Sequence, residues 1–116
     1  MTLNSSFDSL SYVKVGNVVT VTGLLIVTSV SSPTGYFKID MPFTSASTTD
    51  RGADASASIV VHSVVSANVV DFAATILSNQ DFIAVYLGDS SAYTSNSAQQ
   101  LGSGTQITFS VTYRTA

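Results

Sequence analysis

Hydrophobic and polar residues alternate along much of this chain with the two-residue period of a β-strand. The clearest case lies near the C-terminus, where Ile107, Phe109, Val111 and Tyr113 share one face and the residues between them are polar. Turn-forming residues separate seven segments of this kind, at residues 10–15, 18–30, 36–41, 57–65, 69–77, 82–87 and 105–113. The pattern predicts an all-β protein.

The first two segments are joined by Gly16 and Asn17 and predict a β-hairpin. Both residue types accept the positive φ that tight hairpin turns require. The flanking positions are rich in valine and threonine, whose β-branched side chains favour a pleated strand.

Three of the predicted strands are apolar on both faces, at residues 24–27, 59–61 and 82–87. In a sandwich of two antiparallel sheets each sheet buries only its inner face, so outward Leu, Ile and Val side chains need another cover. We therefore expect an antiparallel β-sandwich with seven or eight strands, assembled with further copies of the chain.

The composition supports one self-associating domain over residues 1–116, because 45% of the residues are hydrophobic and only 9% are charged. An average soluble domain carries about 25% charged residues. No apolar run approaches the ~20 residues of a membrane-spanning helix, and no secretory signal is present, so we expect no membrane insertion.

Other function classes are disfavoured by what the chain contains. Nucleic-acid binding requires clustered cations, whereas the four basic residues are scattered at Lys14, Lys38, Arg51 and Arg114. There is no cysteine for a disulfide and no phosphate-binding glycine loop, so no cofactor is expected.

His62 is the only histidine, so any catalytic site that uses histidine depends on it. It lies within a predicted strand, on the face of Val60 and Val64, and no nucleophile-elbow motif accompanies it. We expect His62 to have a structural role at an interface or at the edge of the core, with a pH-sensitive contact as the alternative. We expect no enzymatic activity.

Two long loops, at residues 44–56 and 88–104, carry the remaining candidate chemistry. The first contains Asp50, Arg51 and Asp54, a set that suits sugar hydroxyls, a hydrolytic carboxylate pair or an oxygen-ligated cation. Arg51 can equally ion-pair with the two acids in a solvated loop, and the spacing lacks the repeated ligands of a calcium loop. No metal site is therefore predicted.

The second loop combines Asp89, Tyr93 and Asn96 with several serines. Sugar-binding sites place an aromatic face against the apolar side of the sugar and short polar side chains against its hydroxyls. Packing of Tyr93 on the sheet edge is an equal alternative. The predicted glycan or receptor contacts are Asp50, Arg51, Asp54, Asp89, Tyr93 and Asn96.

Five segments occur in an order that resembles a module near the C-termini of tailed-bacteriophage and prophage tail-fibre, tailspike and related virion proteins. They are Thr2-Leu3, the Tyr12-to-Gly23 hairpin, Ser32-Pro33-Thr34-Gly35, the Ile39-to-Thr44 stretch and the Phe109-to-Ala116 end. Members of this family often carry a Trp-x-Pro segment before the Thr-Leu pair. Its absence suggests that Met1 is an introduced or internal start and that the chain is the C-terminal part of a longer fibre protein.

The resemblance implies a β-sandwich of jelly-roll type at the tip of a homotrimeric fibre in the virion tail, made in the host cytoplasm. It implies roles in trimerisation and in binding a host-surface polysaccharide or lipopolysaccharide, with no enzymatic step in this module. The alternative is a monomeric lectin-like carbohydrate-binding module without a trimerisation role.

Overall fold

The computed structural model of this protein describes residues 1–49, 52, 54–65, 71–88, 93, 94 and 96–115. These residues form nine strands and one short 3-10 helix, with no α-helix among them. The elements are β1 Thr2–Leu3, β2 Leu10–Val15, β3 Val18–Ser29, β4 Phe37–Asp40, β5 Ala55–His62, β6 Asp71–Ile76, β7 Phe82–Gly88, β8 Tyr93–Thr94, the 3-10 helix Ser97–Gln100 and β9 Gln106–Arg114. No helix in this part of the chain is long and apolar enough to cross a membrane.

The predicted all-β class is confirmed, and each of the seven predicted segments corresponds to a strand. The boundaries differ most at β5, which ends at His62 rather than at Val65. Ser63 takes a φ of +61°, a left-handed conformation that no extended strand accommodates, so the strand stops there.

The strands are antiparallel and form one continuous sheet in the order β1-β3-β9-β5-β6-β7-β4. β2 pairs with the first half of β3, and β8 pairs with the end of β7. The sheet curls into a half-barrel, so that β3 and β4, far apart in this order, line one cleft. The expected two-sheet jelly-roll sandwich is not confirmed, because β9 and β5 hydrogen-bond across the centre of the sheet.

The inner face of the curled sheet holds the core. β9 alternates strictly between exposed and buried residues, as predicted, and its inner residues continue across neighbouring strands, with Phe109 opposite Gly23 on β3 and Ile59 on β5. The buried core side chains are Val19, Val21, Leu25, Val27, Phe37, Ile39, Met41, Phe72, Ala74, Ile76, Ile83, Val85, Ala98, Leu101, Ile107, Phe109, Val111 and Tyr113.

The segment after β4 closes one end of this core. The backbone N–H of Met41 donates to Asp81, and that of Ala46 donates to Arg114 at the end of β9. Between them the carbonyl of Phe43 accepts a 2.8 Å hydrogen bond from the Tyr113 hydroxyl. The first long loop therefore begins inside the fold rather than at its surface.

The β2–β3 hairpin has the predicted two-residue turn, with Val15 paired to Val18. Only Gly16 of the two turn residues takes a positive φ, at +59°. A positive φ at the first central position alone is the pattern of a type II′ turn, which explains why glycine stands there.

The apolar residues exposed on the outer face of the sheet are not mainly those in the three runs that the sequence predicted to be apolar on both faces. In the runs predicted to be apolar on both faces, Leu24 and Ile26 are half-buried, whereas Val60 is 51% exposed. The largest exposure lies on the hairpin, with Val13 at 68% and Val15 at 75%. Phe82 lies half-buried on the outer face, opposite Asp40 of β4.

Candidate functional site

The two long loops lie at opposite ends of the sheet. Asp54 directly precedes β5, whose first residue pairs with the last residue of β6. Asn96 lies just beyond β8, which pairs with the last two residues of β7. Since β6 and β7 are antiparallel, Asp54 lies at the end of the sheet where β7 begins, whereas Asn96 follows a strand that pairs with the end of β7.

Only part of the predicted site falls within the described residues. Asp50, Arg51 and Asp89 lie outside them, and Tyr93 is described through its backbone pairing with Gly88 alone. Asn96 is exposed, and its side chain makes no capping hydrogen bond to the 3-10 helix that follows it. The glycan assignments of these residues stay predictions.

Asp54 has a structural contact. Its Oδ1 accepts a 2.6 Å hydrogen bond from the backbone N–H of Ser78, in the turn between β6 and β7. The Ser78 hydroxyl donates to the carbonyl of Ala46 at 3.3 Å and accepts from the N–H of Thr48 at 3.3 Å. The carboxylate thus helps to fasten the end of the first loop to the neighbouring turn.

Ser45 anchors the start of the same loop. Its side chain is fully buried, and its hydroxyl donates to the Leu77 carbonyl at 2.5 Å while accepting from the Gln80 N–H at 3.0 Å. The Ser45 backbone N–H also donates to the Gln80 carbonyl at 2.8 Å. One hydroxyl therefore satisfies two backbone groups that the turn would otherwise bury without partners.

Ser97 has the same function for the second long loop. Its buried hydroxyl donates to the Val85 carbonyl at 2.5 Å and accepts from the Phe37 N–H at 3.1 Å, so it bridges β7 and β4. The adjacent Ala98 N–H donates to the Gly35 carbonyl at 2.9 Å. The sequence offered no signal for either serine, because serine and threonine are abundant throughout the chain.

A surface pocket of about 230 Å³ lies beside Asp54. It brings together a carboxylate, a guanidinium and a hydroxyl, which are the groups that hydrogen-bond to sugar hydroxyls. Its lining residues are Val18, Gly52, Asp54, Ala55, Thr112, Tyr113 and Arg114. Sequence analysis selected Asp54 but missed Thr112 and Arg114, because only the pairing of β9 with β3 and β5 brings the end of β9 to this loop.

Burial raises the pKa of the Tyr113 hydroxyl above its usual value of 10.0. Its side chain is 3% exposed, and the charged phenolate is poorly solvated there. Tyr113 therefore stays protonated and donates to Phe43 at neutral pH.

A second surface, here called the aromatic platform, consists of Tyr36, Phe82 and Tyr86 near the β4 edge. The rings of Tyr36 and Tyr86 have centroids 5.6 Å apart and are tilted by 33°. The Lys38 Nζ lies 4.3 Å from the Phe82 ring centroid and 5.6 Å from that of Tyr36. Two-residue alternation along β7 places Phe82 and Tyr86 on one face, so this part of the platform could have been predicted from the sequence.

His62 is exposed on the outer face at the end of β5, opposite Gln106. It shares that face with Val60 as predicted, but Val64 packs against the core instead. The left-handed conformation of Ser63 breaks the alternation between them. Within the described residues, no group of three or more His, Cys, Asp or Glu side chains could hold a metal ion.

Known proteins show what this chain is similar to. No protein-family model matches the chain, and no curated protein matches it. The crystal structure of the Dettilon tailspike protein superposes with a TM-score of 0.73 at 21% identity, over 97% of this chain. The chain spans 20% of the length of that tailspike chain, and the likeness shows that the two share this fold.

Proposed function

We propose that this chain is a bacteriophage virion module of the tail-fibre or tailspike type. In this proposal it assembles as a homotrimer, stabilises the fibre tip in the virion tail and contributes to binding a host-surface glycan. The observation that carries the proposal is the shared fold with a tailspike protein over 97% of the chain. The five sequence segments that resemble this family provide a second line of support.

Self-association is supported by the outer face of β3, β9 and β5. The outward positions there hold mainly threonine, serine and valine, and Arg114 is the one charged side chain among them. An uncharged face loses little solvation when it is buried, and Val13, Val15 and Val60 expose apolar area that a partner would remove from water.

Sedimentation velocity tests the assembly directly. A trimer of the 12.1 kDa chain has a mass of about 36 kDa, and we expect this species to persist on dilution into the micromolar range. A homogeneous 12.1 kDa species would contradict trimerisation. A monomer that still binds glycan would support the lectin-like alternative.

Glycan binding is best supported at the aromatic platform, where the exposed ring of Tyr36 and the half-buried rings of Phe82 and Tyr86 lie near Lys38. We expect Tyr36→Ala to lower binding to immobilised bacterial lipopolysaccharide or capsular polysaccharide about tenfold, since aromatic contacts contribute 1–2 kcal/mol at such sites. Phe7→Ala is the matched control, because Phe7 is 39% exposed and Tyr36 is 37% exposed. Tyr93→Ala tests the second loop in the same assay.

We propose no catalytic step for the module. Asp54 accepts a backbone hydrogen bond from Ser78 and helps to hold the first loop against the β6–β7 turn, which is a structural role. If polysaccharide cleavage were observed and Asp54→Asn abolished it without loss of folding, this part of the proposal would be wrong.

A further inference from the structure

Lys38 carries an unpaired positive charge among the rings of the aromatic platform. Its side chain is exposed on the outer face of β4, and its Nζ lies over the rings of Phe82 and Tyr36. Within the described part of the chain, no hydrogen bond or ion pair joins this ammonium to another group. A lysine ammonium has three N–H donors, so those not directed at the rings can bind a ligand.

The pairing of β4 with β7 holds this ammonium in place. Lys38 pairs with Ala84, and Phe82 and Tyr86 lie two residues before and after Ala84 on the same face. Ala84 is only 4% exposed, because these larger neighbours close over it. The aliphatic part of Lys38 therefore packs in the space that the alanine leaves between the two rings. Little conformational freedom is then lost when its ammonium binds a ligand.

Asp40 provides a hydrogen-bond acceptor on the same face. It follows Lys38 by two residues along β4 and pairs with Phe82. Two residues of a strand span about 7 Å, and no ion pair joins these two side chains in the described structure. An ionised carboxylate only accepts hydrogen bonds, so it suits sugar hydroxyls, whereas the ammonium suits an anion.

The neighbouring strand leaves the platform open. On this face β6 carries Thr75 opposite Ala84 and Ala73 opposite Tyr86. Both side chains are small, so the rings of β7 stand above β6, and Thr75 adds a hydroxyl. The self-association proposed above uses the outer face of β3, β9 and β5, and the sheet order places β6 between that face and the platform. The platform is therefore not part of the proposed subunit interface.

We propose that the aromatic platform binds an acidic sugar of the hexuronate type. In such a sugar the carboxylate and the hydroxyls farthest from it lie on opposite sides of one ring. The carboxylate binds the Lys38 ammonium, a hydroxyl donates to Asp40, and the apolar face of the sugar stacks on the platform. The inference rests on the proposed glycan binding and names the class of sugar that this surface selects.

Local charge, not net charge, produces this selectivity. The chain has a net charge of -3, so it does not attract polyanions as a whole. The like charge of Asp40 repels the sugar carboxylate, which therefore approaches Lys38 from the side of Tyr36. Binding of the anion thus depends on one lysine, which makes its contribution measurable.

Chemical modification of the ligand tests the charge requirement. The probes are immobilised bacterial capsular polysaccharides and lipopolysaccharides of known composition, with and without uronic acids, in a surface plasmon resonance assay. Each polysaccharide that binds is tested again after its carboxylates have been reduced to alcohols, which leaves the sugar rings intact. We expect binding to the polymers that contain uronic acids and a loss of about tenfold or more after reduction, because a neutral alcohol replaces the charge-assisted hydrogen bonds.

Lysine variants provide a matched comparison. Lys38→Met removes the ammonium and keeps an unbranched side chain beside Ala84, whereas Lys38→Arg keeps the charge. Lys14→Met is the control, because Lys14 also lies over a ring, with its Nζ 4.8 Å from the Phe43 centroid, but on β2. We expect Lys38→Met to bind the native polymer about tenfold more weakly and to bind native and reduced polymer about equally. Lys14→Met and Lys38→Arg should keep the preference for native polymer, and circular dichroism verifies that each variant folds.

The outcomes separate this inference from the proposed glycan binding. A wild-type chain that binds none of the polysaccharides would overturn both. Binding that Tyr36→Ala abolishes, but that carboxylate reduction and Lys38→Met leave unchanged, would keep the platform as a glycan site and overturn its selection of acidic sugars. Binding that is lost when phosphate groups are removed, and not when carboxylates are reduced, would assign the anion to phosphate and overturn the hexuronate.

Discussion

Replacing Ser45 with alanine should destabilise the fold far more than the loss of one exposed hydroxyl would suggest. The Ser45 side chain is fully buried and serves two backbone groups, the Leu77 carbonyl and the Gln80 N–H. Each buried backbone group left without a partner costs about 1–3 kcal/mol. Relaxation of the turn lowers both penalties together, so they do not add fully. We expect a loss of about 2–4 kcal/mol in the free energy of unfolding.

Urea unfolding followed by circular dichroism measures this loss. With an m-value of about 1.5 kcal/mol/M, the midpoint should fall by roughly 1.3–2.7 M. Ser58→Ala is the matched control, because Ser58 is exposed on the outer face, and its effect should stay within about 0.5 kcal/mol. All samples need the same protein concentration, since assembly adds to the apparent stability. A midpoint for Ser45→Ala within 0.3 M of the wild-type value would refute the anchoring function of this hydroxyl.

Two further predictions concern the core. Gly23→Ala should destabilise the fold by about 1–3 kcal/mol in the same assay, because a Cβ there would lie 2.5 Å from Leu10 Cδ2 and 3.2 Å from Phe109 Cε1; an unchanged midpoint would mean that Leu10 moves aside freely. Stability should fall as the pH rises above about 10, because the unfolded chain then ionises Tyr113 while the fold, with its raised pKa, keeps the proton. Tyr113→Phe should remove part of that alkaline slope, and an identical slope in the variant would contradict the assignment.

The buried serines also bear on the proposed recognition. Ser45 fastens the start of the first long loop to the turn between β6 and β7, and Ser97 fastens the second long loop to β7 and β4. Anchored loop bases lower the entropy that ordering a loop on binding would otherwise cost.

Local pattern was sufficient for seven of the nine described strands, and only the two-residue strands β1 and β8 were too short to show it. Two-residue alternation identified β9 and its inner residues, and a Gly-Asn pair between valine-rich flanks identified the β2–β3 hairpin. Both signals depend on residues within a few positions of one another, where the pleat and the turn impose their own geometry. The same locality explains the error at Val64, where one left-handed residue, Ser63, reverses the faces that alternation predicts.

The tertiary structure alone decided how the strands combine. A single curled sheet and two stacked sheets demand nearly the same alternation, so the pairing of β5 with β9 could not be deduced from either strand. The sheet order has three consequences that no single strand reveals. It buries Ser45 and Ser97 among many exposed serines, and it brings Arg114 into the same pocket as Asp54. It also leaves β2 and β4 at the edges of the sheet. The sequence by itself determined seven of the nine described strands because the periodicity is local, whereas the sheet order depends on contacts between residues some fifty positions apart, such as Ile59 with Phe109.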